Sequence, residues 1–155
     1  MTSVETGQPA PDFTLPATGG QEVTLSEFKG NNVVLYFYPR DNTPGCTREG
    51  EAFRDHHGEL RKLGAVVLGI SRDSVKSHEN FRAKHRFPFL LLSDSDETVC
   101  RSYGVIKEKN MYGRKVMGIE RSTFLIDREG ILRRQWRKVK VAGHVEDVLE
   151  ALRSI

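Results

Sequence analysis

Apolar residues along this 155-residue chain fall into short blocks rather than one long stripe. NVVLYFY, Asn32 to Tyr38, is nearly continuous and rich in β-branched and aromatic residues, the pattern of a central strand covered on both faces. AVVLGI, Ala65 to Ile70, reads as a second buried strand, Pro88 to Leu92 as a third and STFLID, Ser122 to Asp127, as a fourth. Between them the period changes. Thr43 to Leu63 reads as one helix, with Phe53, His57 and Leu60 four and three residues apart and Gly64 as its stop. Ser74 to His85 predicts a polar helix, Glu97 to Tyr103 a short one, and His144 to Leu152 a last helix with Val145, Val148, Leu149 and Leu152 on one face.

The remaining segments are less regular. Asp12 to Leu15 is extended, and Gln21 to Phe28 suits a short strand running into a helical turn. Gly104 to Gly118 reads as a basic loop, bearing Met111, Tyr112 and Met117. The REG turn at 128–130 leads into a strand over Ile131 to Val139. Strands alternate with helices early, and a tight turn joins the last two strands. The fold class is therefore α/β, with a mixed central sheet, parallel early and antiparallel late, flanked by helices. That order suits a thioredoxin-like layout over a single domain, 1–155.

Composition narrows the function. Lys and Arg number 24 against 21 Asp and Glu, a net charge of +3 with the two signs interspersed, which does not argue for nucleic acid. RRQWRKVKV, 133–141, mixes bases with Trp136 but has no run of five like charges, and a solvated strand face explains it better. No stretch approaches the length of a membrane helix. The first residues show no basic region followed by an apolar core, so a cytoplasmic location without a signal peptide is expected. His56 and His57 are adjacent, and cysteine and histidine spacings match no zinc pattern, so no metal or cofactor is expected.

The chemistry concentrates in YPRDNTPGC, 38–46. Thr43 is a good helix N-cap and Pro44 suits the first helical position, which puts Cys46 inside the first turn. The free N–H groups and positive dipole end there favour an anion, and a thiolate is one. Gly45 leaves the approach to the sulfur open. Two readings follow from the residues alone: a reactive thiol, or a small residue packed beneath the helix.

Pro39, Thr43 and Cys46 form P-x-x-x-T-x-x-C after an aromatic-rich strand, and this resembles the active-site motif of the peroxiredoxins. FYPRDNTPGCTREG resembles the Q-type branch, the bacterioferritin comigratory proteins. The likeness extends through PAPDFTLPATGG, GISRDSV, LLSDSDETVCRSYGV and GIERSTFLID. It implies a thiol-dependent peroxidase acting on hydrogen peroxide and organic hydroperoxides, with Cys46 as the peroxidatic thiolate that becomes a sulfenic acid. It implies that the Thr43 hydroxyl bonds thiolate and peroxide, that Pro39 shields the site, and that Arg121 stabilises the thiolate and the leaving oxygen. Glu49, one turn beyond Cys46, would orient Arg121. Electrons would come from an external thiol such as thioredoxin, or glutaredoxin with glutathione, and the chain would be a monomer.

The sequence departs from its relatives in one respect. Q-type members often carry a resolving cysteine five residues after the first, here Glu51, or in the next helix, which here has none. A one-cysteine mechanism is expected, with Cys100 as an alternative resolving residue. Two further functions compete: a thiol–disulfide oxidoreductase, disfavoured by the lack of C-x-x-C, and a non-enzymatic redox sensor.

Overall fold

The structure is a computed structural model that describes residues 4–155. A seven-stranded mixed sheet forms the middle layer. Its strands are β1 (Thr14–Ala17), β2 (Gln21–Thr24), β3 (Asn32–Phe37), β4 (Ala65–Ser71), β5 (Leu90–Ser93), β8 (Ser122–Ile126) and β9 (Leu132–Trp136), in spatial order β2-β1-β5-β4-β3-β8-β9. Strands β3, β4 and β5 run parallel, and β8 and β9 continue antiparallel beyond β3. Every residue of β3 is buried, which accounts for its unbroken apolar run. Outside this sheet, β6 (Ile106–Met111) and β7 (Arg114–Ile119) pair only with each other.

Because side chains alternate across a strand, β3 feeds two cores. Val33, Leu35 and Phe37 face one side, with Cys100, Tyr103 and Phe124. Val34, Tyr36 and Tyr38 face the other, with Cys46, Phe53 and Leu60. The helices α1 (Pro44–Asp55), α2 (His57–Lys62), α3 (Val75–His85) and α5 (His144–Arg153) cover this second side. The short α4 (Thr98–Ser102) sits on the first. Phe53 anchors α1 by stacking on Tyr36, with ring centroids 4.7 Å apart. No helix among the described residues is long and apolar enough to cross a membrane.

Two expectations need correction. The segment 43–63 is not one helix: it breaks at His56, whose φ of −102° and ψ of 8° leave the helical well. Its ring Nδ1 lies 2.9 Å from the Ala52 carbonyl, so the side chain occupies an acceptor within its own turn. The segment 104–118 is not a loop but the β6–β7 hairpin, in full antiparallel register from Ile106 opposite Ile119 to Met111 opposite Arg114. Tyr112 and Gly113 form its two-residue turn, both with positive φ, as such turns require.

Candidate active site

The chain leaves β3, turns at Asp41 and Asn42, and enters α1 at Pro44. Asn42 takes the left-handed conformation, with φ of 63°, which its short polar side chain tolerates. Thr43 occupies the N-cap position in extended geometry, but its hydroxyl does not cap the helix. It donates instead to the Arg40 carbonyl at 2.8 Å. The first-turn N–H groups beside Cys46 therefore have no side-chain cap, which leaves the positive end of the helix facing the sulfur.

Cys46 is only 2% exposed. One arm of the Arg121 guanidinium, Nη2, donates to its Sγ at 3.4 Å, and the other, Nη1, donates to Glu49 Oε1 at 2.7 Å. Arg121 arrives from the residue before β8, the strand paired with β3, so sheet register sets its position. Glu49 arrives from one turn along α1. Gly45 makes room for this: a Cβ there would stand 3.1 Å from Arg121 Nη2. Thr43 and Pro39 flank the same turn, half-buried.

The electrostatics are uneven. Glu49 is fully buried, and its second oxygen, Oε2, has no hydrogen-bond partner. Burial pushes its carboxyl up to about 7 against the pull of Arg121. Burial also works against the charge of Arg121, but Glu49 and the Cys46 sulfur outweigh it and hold the guanidinium above its ordinary value. The pair is a firmly charged arginine facing a carboxyl that ionises only near neutrality.

Cys100 is not brought to this site. It lies in the core on the opposite face of the sheet from Cys46, and both thiols are free. Its backbone N–H donates to the buried Asp94 carboxylate at 2.7 Å. Burial, and then that carboxylate, pushes the Cys100 thiol far above its ordinary value.

Sequence reasoning missed a polar cluster behind the 39–43 turn. The buried Asp41 carboxylate accepts from Tyr38 Oη at 2.7 Å and Ser77 Oγ at 2.8 Å, and meets His78 Nδ1 at 2.7 Å. His78 Nε2 faces the Leu92 carbonyl at 2.9 Å. The Asp41 backbone N–H donates to Asp73 at 2.9 Å. Asp41, Asp73 and His78 come close enough to hold a cation, but their facing atoms are engaged with one another and with Ser71 and Ser77. The cluster ties the turn before Cys46 to α3. Its one sequence signal was His78 three residues before the buried Phe81 on an otherwise polar helix.

Comparison with known proteins agrees with this geometry. The profile of the AhpC/TSA family matches residues 6–135. A putative peroxiredoxin bcp of Coxiella burnetii is 56% identical over 150 residues, covering 97% of this chain and 99% of that protein. Peroxiredoxin Bcp of Bacillus subtilis is 49% identical over 153 residues, covering 99% and 98%. Among solved structures, Xanthomonas campestris peroxiredoxin Q superposes with a TM-score of 0.88 at 56% identity, covering 92% of this chain and 90% of that one. A cysteine-to-serine variant of Xylella fastidiosa PrxQ superposes with a TM-score of 0.93 at 45% identity, covering 99% and 98%. With a thioredoxin-like fold and a cysteine at the head of its first long helix, this chain belongs to the AhpC/TSA family, among the peroxiredoxins of the Bcp or Q type.

Proposed function

We propose that this chain reduces hydrogen peroxide and organic hydroperoxides by a one-cysteine mechanism. The observation that carries the reading is the bifurcated Arg121, one arm on Cys46 Sγ and the other on buried Glu49. A fixed cation at that sulfur favours its anion and lies where negative charge develops on the departing oxygen. The Cys46 thiolate attacks the terminal peroxide oxygen. An S–O bond forms, the O–O bond breaks, and the alkoxide or hydroxide leaves with a proton from water as alcohol or water. Thr43 would offer its hydroxyl to thiolate and peroxide once freed from Arg40, and Pro39 would shield the turn. An external thiol then attacks the sulfenic acid and releases water, and a second thiol frees Cys46 as the reductant becomes a disulfide.

Alkyl peroxide reduction is named in the study of the Xanthomonas campestris bacterioferritin comigratory protein, 56% identical to this chain, which supports organic hydroperoxides as substrates here. The one-cysteine reading is supported by the sheet between Cys46 and Cys100 and by the absence of cysteine at Glu51 and in α3. Two free thiols suit a reducing cytoplasm, and thioredoxin or glutaredoxin with glutathione suits the reductant. A working monomer is the simplest form, since every proposed group lies in one chain.

The test is peroxide consumption by Cys46→Ser, which is expected to vanish while the circular dichroism spectrum stays native. Intact mass after one equivalent of hydrogen peroxide should show one added oxygen with Cys100 still titratable. Loss of both thiols with a mass lower by two hydrogens would replace this mechanism with a Cys46–Cys100 disulfide.

A further inference from the structure

A buried sulfur that relies on an external thiol needs a surface on which its reductant can settle. Beside Pro39 lies a shallow cavity of about 390 Å³, also lined by Arg40, Arg72, Asp73, Ser95 and Glu97. Arg72 Nη1 reaches from it to the Met117 carbonyl of β7 at 3.4 Å. The hairpin therefore adjoins the mouth of the site. Lys109 of β6 folds its stem over Gly118 and donates to the Ile119 carbonyl at 2.5 Å, two residues before Arg121. Burial, then Arg121 and Arg72, hold the Lys109 ammonium below its usual range, while Cys46 pulls the other way, which again puts the hairpin within the field of the site.

The rest of the hairpin is open. Met111, Tyr112, Val116 and Met117 are between 38% and 98% exposed, and the fifth exposed large apolar residue among those described is the last of the chain, Ile155. The register puts Met111 and Val116 on one face, Met117 on the other and Tyr112 in the turn between, and exposed apolar groups gathered on one projecting arm mark interaction sites. Two strands paired only with each other are marginal alone in water, and only the base of this hairpin, Ile106 and Ile119, is held by the core. Its charge is one-sided: Lys107, Lys109, Arg114 and Lys115 against Glu108. That excess of three equals the net charge of the whole chain, so the remaining residues balance twenty bases against twenty acids.

We infer that the β6–β7 hairpin is the docking surface for an acidic protein thiol reductant, its apolar tip gripping the partner and its lysines steering it toward Cys46. The inference rests on the external-thiol reading above. Basic and apolar groups interleaved on one projecting arm suit a negatively charged protein with an apolar rim around its thiol, and the base of the arm ends at Ile119, two residues before the Arg121 that touches the sulfur.

The test compares wild type with Lys107→Glu/Lys115→Glu and with Tyr112→Asn/Met117→Ser; asparagine keeps the left-handed turn. Peroxide turnover is driven either by an acidic thioredoxin with its reductase and NADPH or by dithiothreitol. With thioredoxin, kcat/KM is expected to fall at least tenfold in each variant, and to fall with added salt in wild type. The dithiothreitol-driven rate should stay within twofold. An unchanged thioredoxin kcat/KM overturns the inference, as does a parallel loss with dithiothreitol or wild-type turnover with dithiothreitol alone. Hairpin-dependent sedimentation with phosphatidylglycerol vesicles, without an effect on thioredoxin, would assign the surface to membranes instead. No wild-type turnover with either reductant would overturn the peroxidase reading itself, and this surface with it.

Discussion

Replacing Glu49 by glutamine keeps the side chain's shape and an oxygen for Arg121 but removes the ionisable proton. Burial holds this carboxyl at about 7 in the folded protein, against 4.5 for an ordinary glutamate. The folded state thus keeps a proton that the unfolded chain has released, and stability falls as pH rises from 4.5 through 7. His144 does the opposite. Burial draws it from 6.5 down to about 4, where it packs edge-on to Phe53 and Trp136 and meets Thr123 Oγ1 at 2.8 Å. The unfolded chain takes up a proton that folded His144 refuses, so stability rises with pH over nearly the same range. By linkage, each group changes the unfolding free energy by about 2 kcal/mol between roughly pH 5 and pH 7, with opposite signs. Wild type is therefore expected to be nearly flat over that interval. Glu49→Gln leaves His144 unopposed, and its unfolding free energy should rise by about 2 kcal/mol. Urea unfolding followed by circular dichroism at pH 5, 6 and 7, with thiols kept reduced, measures this directly. A Glu49→Gln profile parallel to that of wild type would refute the account of Glu49, and a flat Glu49→Gln profile that of His144.

Other substitutions probe the remaining contacts. Arg121→Lys keeps the charge but cannot reach Cys46 and Glu49 with two planar arms. The second-order rate with peroxide, followed by stopped-flow fluorescence of Trp136, should fall by a factor equivalent to about 3 kcal/mol of barrier, and an unchanged rate would remove Arg121 from the chemistry. Gly50→Ala would place a Cβ 2.4 Å from the Phe87 ring. It should cost about 1–3 kcal/mol of stability by urea denaturation, and a neutral result would mean that Phe87 has room to move. His78→Leu leaves Asp41 buried without its ring partner. About 3–5 kcal/mol should be lost, and a smaller loss in urea would show that Tyr38 and Ser77 suffice to hold that carboxylate.

The parts of the fold that could be read from sequence are those in which a local pattern meets a buried face. NVVLYFY becomes a central strand because both its faces are covered, and α5 keeps its apolar stripe because it packs on the sheet. The hairpin escaped because only its base, Ile106 and Ile119, reaches the core while most of its length is exposed, so no apolar–polar alternation runs along it, and tyrosine is an unusual residue for a left-handed turn. The break at His56 depends on a side chain bonding its own turn, which periodicity does not encode. At the site, the cap, proline and glycine around Cys46 had a local rationale. Arg121 did not: it lies 75 residues away, and only the resemblance to a family singled it out. Asp41 and His78 are joined across 37 residues by a turn and a helix that no short motif links.

The sheet between the two thiols also has a kinetic meaning. A partner on the same chain usually reacts at an effective concentration of millimolar or more. With β3 and its neighbours standing between them, the effective concentration of Cys100 at the Cys46 sulfur is close to nil while the fold persists. On the one-cysteine reading, the lifetime of oxidised Cys46 then has no internal clock. It is set by how much reduced thiol surrounds the protein, so the oxidised fraction reports the supply of reductant as directly as it reports the supply of peroxide.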